Sequence, residues 1–166
     1  MNATADALFS RSVERIEGAY TTLGHSLGWR FLSVSKRVLT RDPQILLLTA
    51  NPGGSSIPPD HPTGSCEHGC AYTSESWGTS PRGAHKLQVQ VQRLFDALAL
   101  HVPSKTTGTD LLEESLIGAF IPFRSPRLAL LHRPADSLEF AKELWGDVLK
   151  NLRPRLQIAI DPEAYR

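Results

Sequence analysis

Gln44-Ile45-Leu46-Leu47-Leu48-Thr49-Ala50-Asn51-Pro52-Gly53-Gly54-Ser55-Ser56 is the run from which the architecture is read. Ile45 to Thr49 form a short apolar or β-capable stretch without polar alternation, the pattern of a strand buried on both faces of a parallel sheet. Asn51-Pro52-Gly53-Gly54 then breaks the strand abruptly. Proline fixes the backbone after Asn51, and the glycines let another group approach the main chain closely. A polar amide is thereby presented at the carboxyl end of a buried strand, where open α/β sheets bind ligands. The same four residues also read as a plain turn closed by an asparagine side-chain bond to its own backbone.

Working outward, Leu8, Val13, Ile16, Tyr20, Leu23 and Leu27 recur at helical spacing and predict a helix over 7–26, with Gly28 as its stop. Trp29 to Val34 predict a short strand, and Asp42-Pro43 a turn before the strand at 44–50. Residues 51–83 are too rich in Pro, Gly, Ser and Thr for one element, and a loop of that length is usually functional. A short helical turn is expected inside it around Ser74–Trp77, with Tyr72, Glu75 and Trp77 as a packed anchor. A helix follows over 85–98, with Gln88, Gln90 and Gln92 on its polar side, then a buried strand from Leu116 to Phe123. Asp136 and Glu139 have the spacing of a capping box for a helix that Pro154 stops. Leu156 to Ile160 predict the last strand. This alternation predicts a single α/β domain over 1–166, a three-layer α/β/α sandwich with a mainly parallel central sheet. The strand ends near Asn51 and Arg124 then frame one cleft.

Composition narrows the function classes. With 166 residues, 40% hydrophobic and 21% charged, the chain can bury a real core. A net charge of +1 gives no strong global field toward nucleic acid or an acidic membrane, and leaves room only for local basic patches. No apolar run approaches the ~20 residues needed to span a bilayer, so no membrane partner is expected. Met1 to Asp6 lack a basic segment leading into an apolar one, which makes the cytoplasm the expected location. Cys66 and Cys70 are the only cysteines, too few for a disulfide framework.

Several side chains carry chemistry. Arg124-Ser125-Pro126-Arg127 reads as a phosphate fork or as a solvated turn; arginine suits the former because its planar guanidinium pairs with two oxygens. His61, Cys66, His68 and Cys70 offer zinc-type ligands, but their spacing matches no common finger or ribbon, and no cofactor is expected. His85 and His132 read as late acids or phosphate contacts, or as capping and surface residues.

Asn51-Pro52-Gly53 resembles the water-activating motif of the uracil-DNA glycosylase superfamily, in its mismatch-specific and single-strand-selective branches. The order around it is similar too: a motif ending the first core strand, a Gly/Ser/Pro-rich loop, a helix, a strand ending at Ala119-Phe120-Ile121-Pro122-Phe123, a helix, and Arg153-Pro154-Arg155-Leu156-Gln157-Ile158 leading into a last strand. The resemblance covers residues 28–160 and implies a uracil-DNA glycosylase-like fold. It also implies DNA as partner, in single-stranded or flipped-base form, and hydrolysis of the N-glycosidic bond of a damaged or deaminated base in DNA repair.

Under it Asn51 would hold the water. Pro52, Gly53, Gly54, Ser55, Ser56, Phe120, Phe123, Arg124 and Ser125 would meet base and phosphate. The sequence departs from the family in three places. Ala119 stands where an asparagine often reads the base, and Thr49 where a glycine often precedes the motif. Six residues follow Ile160, so the family's late His/Ser loop and helix are expected to be lacking. A protein partner covering that side is expected in their place. The alternative function is a catalytically inactive α/β module that holds nucleic acid or a nucleotide at the same strand ends.

Overall fold

The computed structural model describes residues 3–58, 61–102 and 105–160. In chain order its elements are α1 (Ala3–Thr22), β1 (Ile45–Thr49), α2 (Ala71–Ser74), α3 (Lys86–Ala99), α4 (Gly108–Glu113), β2 (Leu116–Ala119), α5 (Pro134–Asn151) and β3 (Leu156–Ala159), with 3-10 turns at Lys36–Thr40 and Leu128–Leu130. The protein is a mixed α/β structure whose three described strands form one parallel sheet in the order β2-β1-β3. Leu46 lies opposite Leu116 on one side and Gln157 on the other; Leu48 lies opposite Gly118 and Ala159. β1 and β2 are buried almost throughout, which is why they read as unbroken apolar runs. Among the described residues no helix is long and apolar enough to cross a membrane.

The core gathers where α5 lies over β2. Trp145 is 2% exposed and donates its indole N–H to the carbonyls of Ala119 and Phe120 at 3.2 and 2.9 Å. Gly118 permits this approach, because a Cβ there would meet the Phe31 carbonyl at 2.7 Å and the Trp145 ring at 2.9 Å.

Five predicted elements differ from those observed. α1 spans Ala3–Thr22 rather than 7–26, so that Gly24 (φ +74°) and not Gly28 stands just past its end, and β2 stops at Ala119 rather than Phe123. Trp29 to Val34 is buried and extended but is not a strand of the sheet. It makes only isolated antiparallel bridges, Trp29 with Phe123 and Leu32 with Gly118. Its other bonds go to the long loop: Phe31 and Leu32 donate to the carbonyls of Thr63 and Gly64 at 2.9 and 3.0 Å. Sharing its N–H groups between two neighbours prevents a ladder, yet the segment still lies along β2 and covers that edge.

The helical turn lies at Ala71–Ser74 rather than Ser74–Trp77. The last helix begins at Pro134, not after an Asp136 cap. Proline fits the first helical position because its ring presets φ and its missing N–H would be unpaired there anyway. Asp136 therefore falls inside the first turn, where its carboxylate accepts from Arg133 Nε at 2.9 Å. Residues 161–166, including those expected to end the domain, lie outside the described residues.

Candidate functional site at the strand ends

β1 and β2 stay joined past their last paired residues: Phe120 donates to Thr49 O at 2.7 Å and Ile121 to Ala50 O at 2.8 Å. Beyond that point the chains diverge but remain tied, with Ser125 N–H on Pro52 O at 3.2 Å and Arg124 N–H on Gly28 O at 2.9 Å. Residues 50–54 and 120–125 thus meet at the carboxyl ends of two adjacent parallel strands.

Asn51 is half-buried at this junction. Its Nδ2 faces the carbonyls of Pro52 at 3.1 Å, Phe123 at 3.4 Å and Ser125 at 3.4 Å, and Ser125 Oγ at 3.3 Å. Three carbonyls around one atom decide which end of the amide carries the hydrogens, since an oxygen there would be repelled by all of them. Oδ1 is consequently held on the other side, an acceptor to which no donor among the described residues is directed.

Arg124 closes the same junction. It is 9% exposed, and its Nη1 donates to Gly53 O. Gly54 adopts φ +91°, and a Cβ on it would sit 3.4 Å from that Nη1. Arg124 Nε is buried without a partner. Burial, then the like charge of Arg30, lowers the Arg124 pKa against an opposing pull from Glu75. The guanidinium nonetheless remains charged at neutral pH, as arginine does in proteins. Gly53, Gly54, Ser55 and Ser56 are exposed beside it, and Pro52 is buried.

Three further residues expected to meet base or phosphate are buried. Ser125 is 2% exposed, and its hydroxyl donates to Arg127 O at 2.5 Å while facing Asn51. Phe123 is fully buried, stacked on His25 at 4.1 Å and near Phe140 at 5.5 Å. A ring enclosed on both faces has none free for a base. Phe120, at 9% exposure, also packs in the core.

The zinc-type residues do not converge: among the described residues no three His, Cys, Asp or Glu side chains could hold one metal. His61 Nε2 pairs with Ser76 O at 3.0 Å, and Cys66 Sγ lies 3.6 Å from Ser74 Oγ. Burial pushes the Cys70 thiol up to about 12, and His68 is exposed. His85 caps α3, accepting from Leu87 N–H at 3.3 Å while Gln88 Oε1 takes the His85 N–H at 2.9 Å. His132 is exposed.

Behind the site stands a buried ion pair. Arg30 donates Nη1 and Nη2 to Glu75 at 2.7 and 2.6 Å, with both side chains under 10% exposed. Trp77 Nε1 adds a bond to Glu75 at 3.0 Å, and Tyr72 packs edge-on against Trp77 at 5.0 Å. Burial would raise the Glu75 pKa, but the bonds and charge of Arg30 outweigh it and hold the carboxyl below its usual range. Gln88 is fully buried and donates to Ala71 O and Glu75 O at 2.8 and 2.9 Å. Gln92 bridges Tyr72 O and Gly83 O at 2.7 and 2.8 Å. Only Gln90 of the three is exposed, so the expected polar side of α3 is largely the clamp of the long loop. The sequence signals for this framework were an arginine inside an apolar run and an acid two residues from Trp77.

His25 backs Phe123 from the far side. Its Nε2 lies 3.0 Å from Ser137 Oγ, and that hydroxyl donates to His132 O at 3.2 Å. Burial first, then His132, lowers the His25 pKa below 6.5. The unfolded chain therefore takes up a proton more readily than the folded one as pH falls below 6.5. Stability is expected to be fully present above that pH and to decline below it. Thermal melts at pH 7.5 and 5.5 measure this, and His25→Phe, which keeps the stack, should flatten the dependence. An unchanged pH slope in that variant would remove His25 as its source.

Comparisons of the chain with protein families, with curated proteins and with solved structures find no match.

Proposed function

We propose that this protein is a DNA-glycosylase-like hydrolase, in which Asn51 orients a water for attack on the N-glycosidic bond of a damaged or deaminated base. The observation that carries the proposal is the Asn51 amide. Its Nδ2 is fixed by Pro52, Phe123 and Ser125, which leaves Oδ1 as the acceptor at the end of β1. An amide is too weak a base to take the proton outright, so Asn51 contributes by orientation. The same reading extends to the fold. The sheet order β2-β1-β3 sends successive crossovers in opposite directions. Right-handed connections would then place their helices on opposite faces, a three-layer sandwich of uracil-DNA glycosylase type, with the ligand crevice between β1 and β2.

Within this reading Arg124, Ser55 and Ser56 hold a backbone phosphate, and the base enters beside Phe120. Ala119 offers no side-chain donor or acceptor, so recognition of the base falls to main-chain groups and shape. Single-stranded DNA is the favoured form because an unpaired base costs least to extrude. Cleavage of base-bearing oligonucleotides tests the proposal, with release of the free base as the readout. For the phosphate contact, Arg124→Gln is expected to weaken single-stranded DNA binding and reduce the salt slope by about 0.7. A filter-binding salt titration checks this; an unchanged slope would remove Arg124 from the contact.

A further inference from the structure

Among the described residues the buried side chains of Arg, Lys, Asp and Glu are Arg30, Glu75 and Arg124. Glu75 is fully engaged: Arg30 takes its oxygens at 2.7 and 2.6 Å, and Trp77 Nε1 adds a third bond at 3.0 Å. His61, 3.6 Å from Glu75, can add only positive charge. Two buried guanidinium groups therefore stand against one carboxylate, which pairs with Arg30. A buried charge left without its own counter-charge is costly.

The hydrogens of Arg124 are underused as well. Nη1 donates to Gly53 O, and Nε is buried without an acceptor. Nη2 also has no acceptor among the described residues, but unlike Nε it reaches solvent. The main chain beside the guanidinium is similarly open. The N–H groups of residues 53–56 have no acceptor among the described residues, and a Cβ on Gly53 would meet no atom within 4 Å. Ser55 and Ser56 are exposed. Unpaired donors that follow β1 thus lie beside an unpaired guanidinium that follows β2.

We propose that this junction binds a phosphate group, whose oxygens take hydrogens from Arg124 on one side and from residues 53–56 on the other. A guanidinium and successive main-chain N–H groups are donors suited to such an oxyanion. The charge imbalance belongs to the folded chain itself, so inorganic phosphate fills the site without nucleic acid. The second source, a phosphate of a bound strand, rests on the proposed function and competes for the same donors. Because the ligand bridges segments that follow two different strands, its binding stabilises the fold.

Thermal melts of the full chain in sodium phosphate, against sodium chloride at matched ionic strength, test the proposal. The parent is expected to show a saturable rise of roughly 5–10 °C as phosphate reaches about 100 times its Kd. Arg124→Gln should keep only the gradual, unsaturable rise that phosphate gives proteins generally. Ser56→Glu, at an exposed position, supplies a carboxylate in place of the ligand. It should melt above the parent in chloride and lose the saturable response, which decides the matter even if Arg124→Gln folds poorly. A parent without a saturable rise, or one that both variants retain in full, would overturn the proposal. Competition with a labelled single-stranded oligonucleotide lacking terminal phosphates separates the sources. Displacement by phosphate shows that strand and free ion share the site, and a bound strand that phosphate leaves in place assigns the site to the free ion. A strand that does not bind counts against the proposed function, while a saturable rise lost in the variants still supports the phosphate site.

Discussion

Glu75→Ala is expected to destabilise the protein by about 3–5 kcal/mol, because it leaves the Arg30 guanidinium buried without its counter-charge. Both oxygens of Glu75 are engaged: Oε1 with Arg30, and Oε2 with Arg30 and Trp77. Truncation therefore orphans the guanidinium and the indole together. The damage should also reach the site, since Arg30 N–H holds Pro122 O at 2.8 Å, directly before the residues that surround Asn51. The midpoint of urea denaturation measures the loss. The same physics predicts that Arg30→Met/Glu75→Leu recovers most of it, because a matched apolar pair removes the desolvation cost of both ions. If the double variant were no more stable than Glu75→Ala, the buried charge would not be the cause.

Under the proposed function, Asn51→Ala is expected to lower base excision about 10²-fold while leaving the fold intact, since orientation of one reactant is the role the proposal gives the residue. The loop retains Ser125 N–H on Pro52 O and Arg124 on Gly53 O without the amide. Asn51→Asp separates geometry from donor capacity. It keeps the size of the side chain but turns an oxygen toward the carbonyls of Pro52, Phe123 and Ser125, or else forces the carboxyl to hold a proton. The aspartate variant should consequently melt lower than the alanine variant, although it is the closer isostere. Thermal melts of the three proteins check the order.

The sequence made legible what depends on local pattern. The apolar spacing of Leu144, Trp145 and Val148 marks α5, and the unbroken run Ile45–Leu48 marks β1. The parallel sheet follows from their alternation with helices. Pairings between distant residues were not legible. Arg30 and Glu75 are 45 positions apart, and no periodicity announces their contact. Gln88 and Gln92 lie on the polar side of an amphipathic pattern, and only the packed loop above them converts that side into an interior clamp. Trp29 to Val34 has strand composition but lost its ladder to competition from residues 63–66, a choice settled by tertiary structure. α4 went unrecognised although Thr107 and Asp110 form a complete capping box, since six residues carry too little apolar pattern to stand out. At the strand ends, the position of Asn51 just after β1 was legible. The burial of Ser125 and Phe123 was not legible, because burial cannot be seen in a polar turn after an apolar run.

The central claim is that Asn51 positions a water for base removal. It is tested most directly by single-turnover excision from single-stranded and mismatched oligonucleotides carrying uracil, hypoxanthine or xanthine, with the parent and Asn51→Ala side by side. The account predicts abasic sites with the parent on at least one of these bases and about 10²-fold slower formation with the variant. Equal rates for the two proteins, or a parent that neither cleaves nor binds any of the substrates, would contradict it.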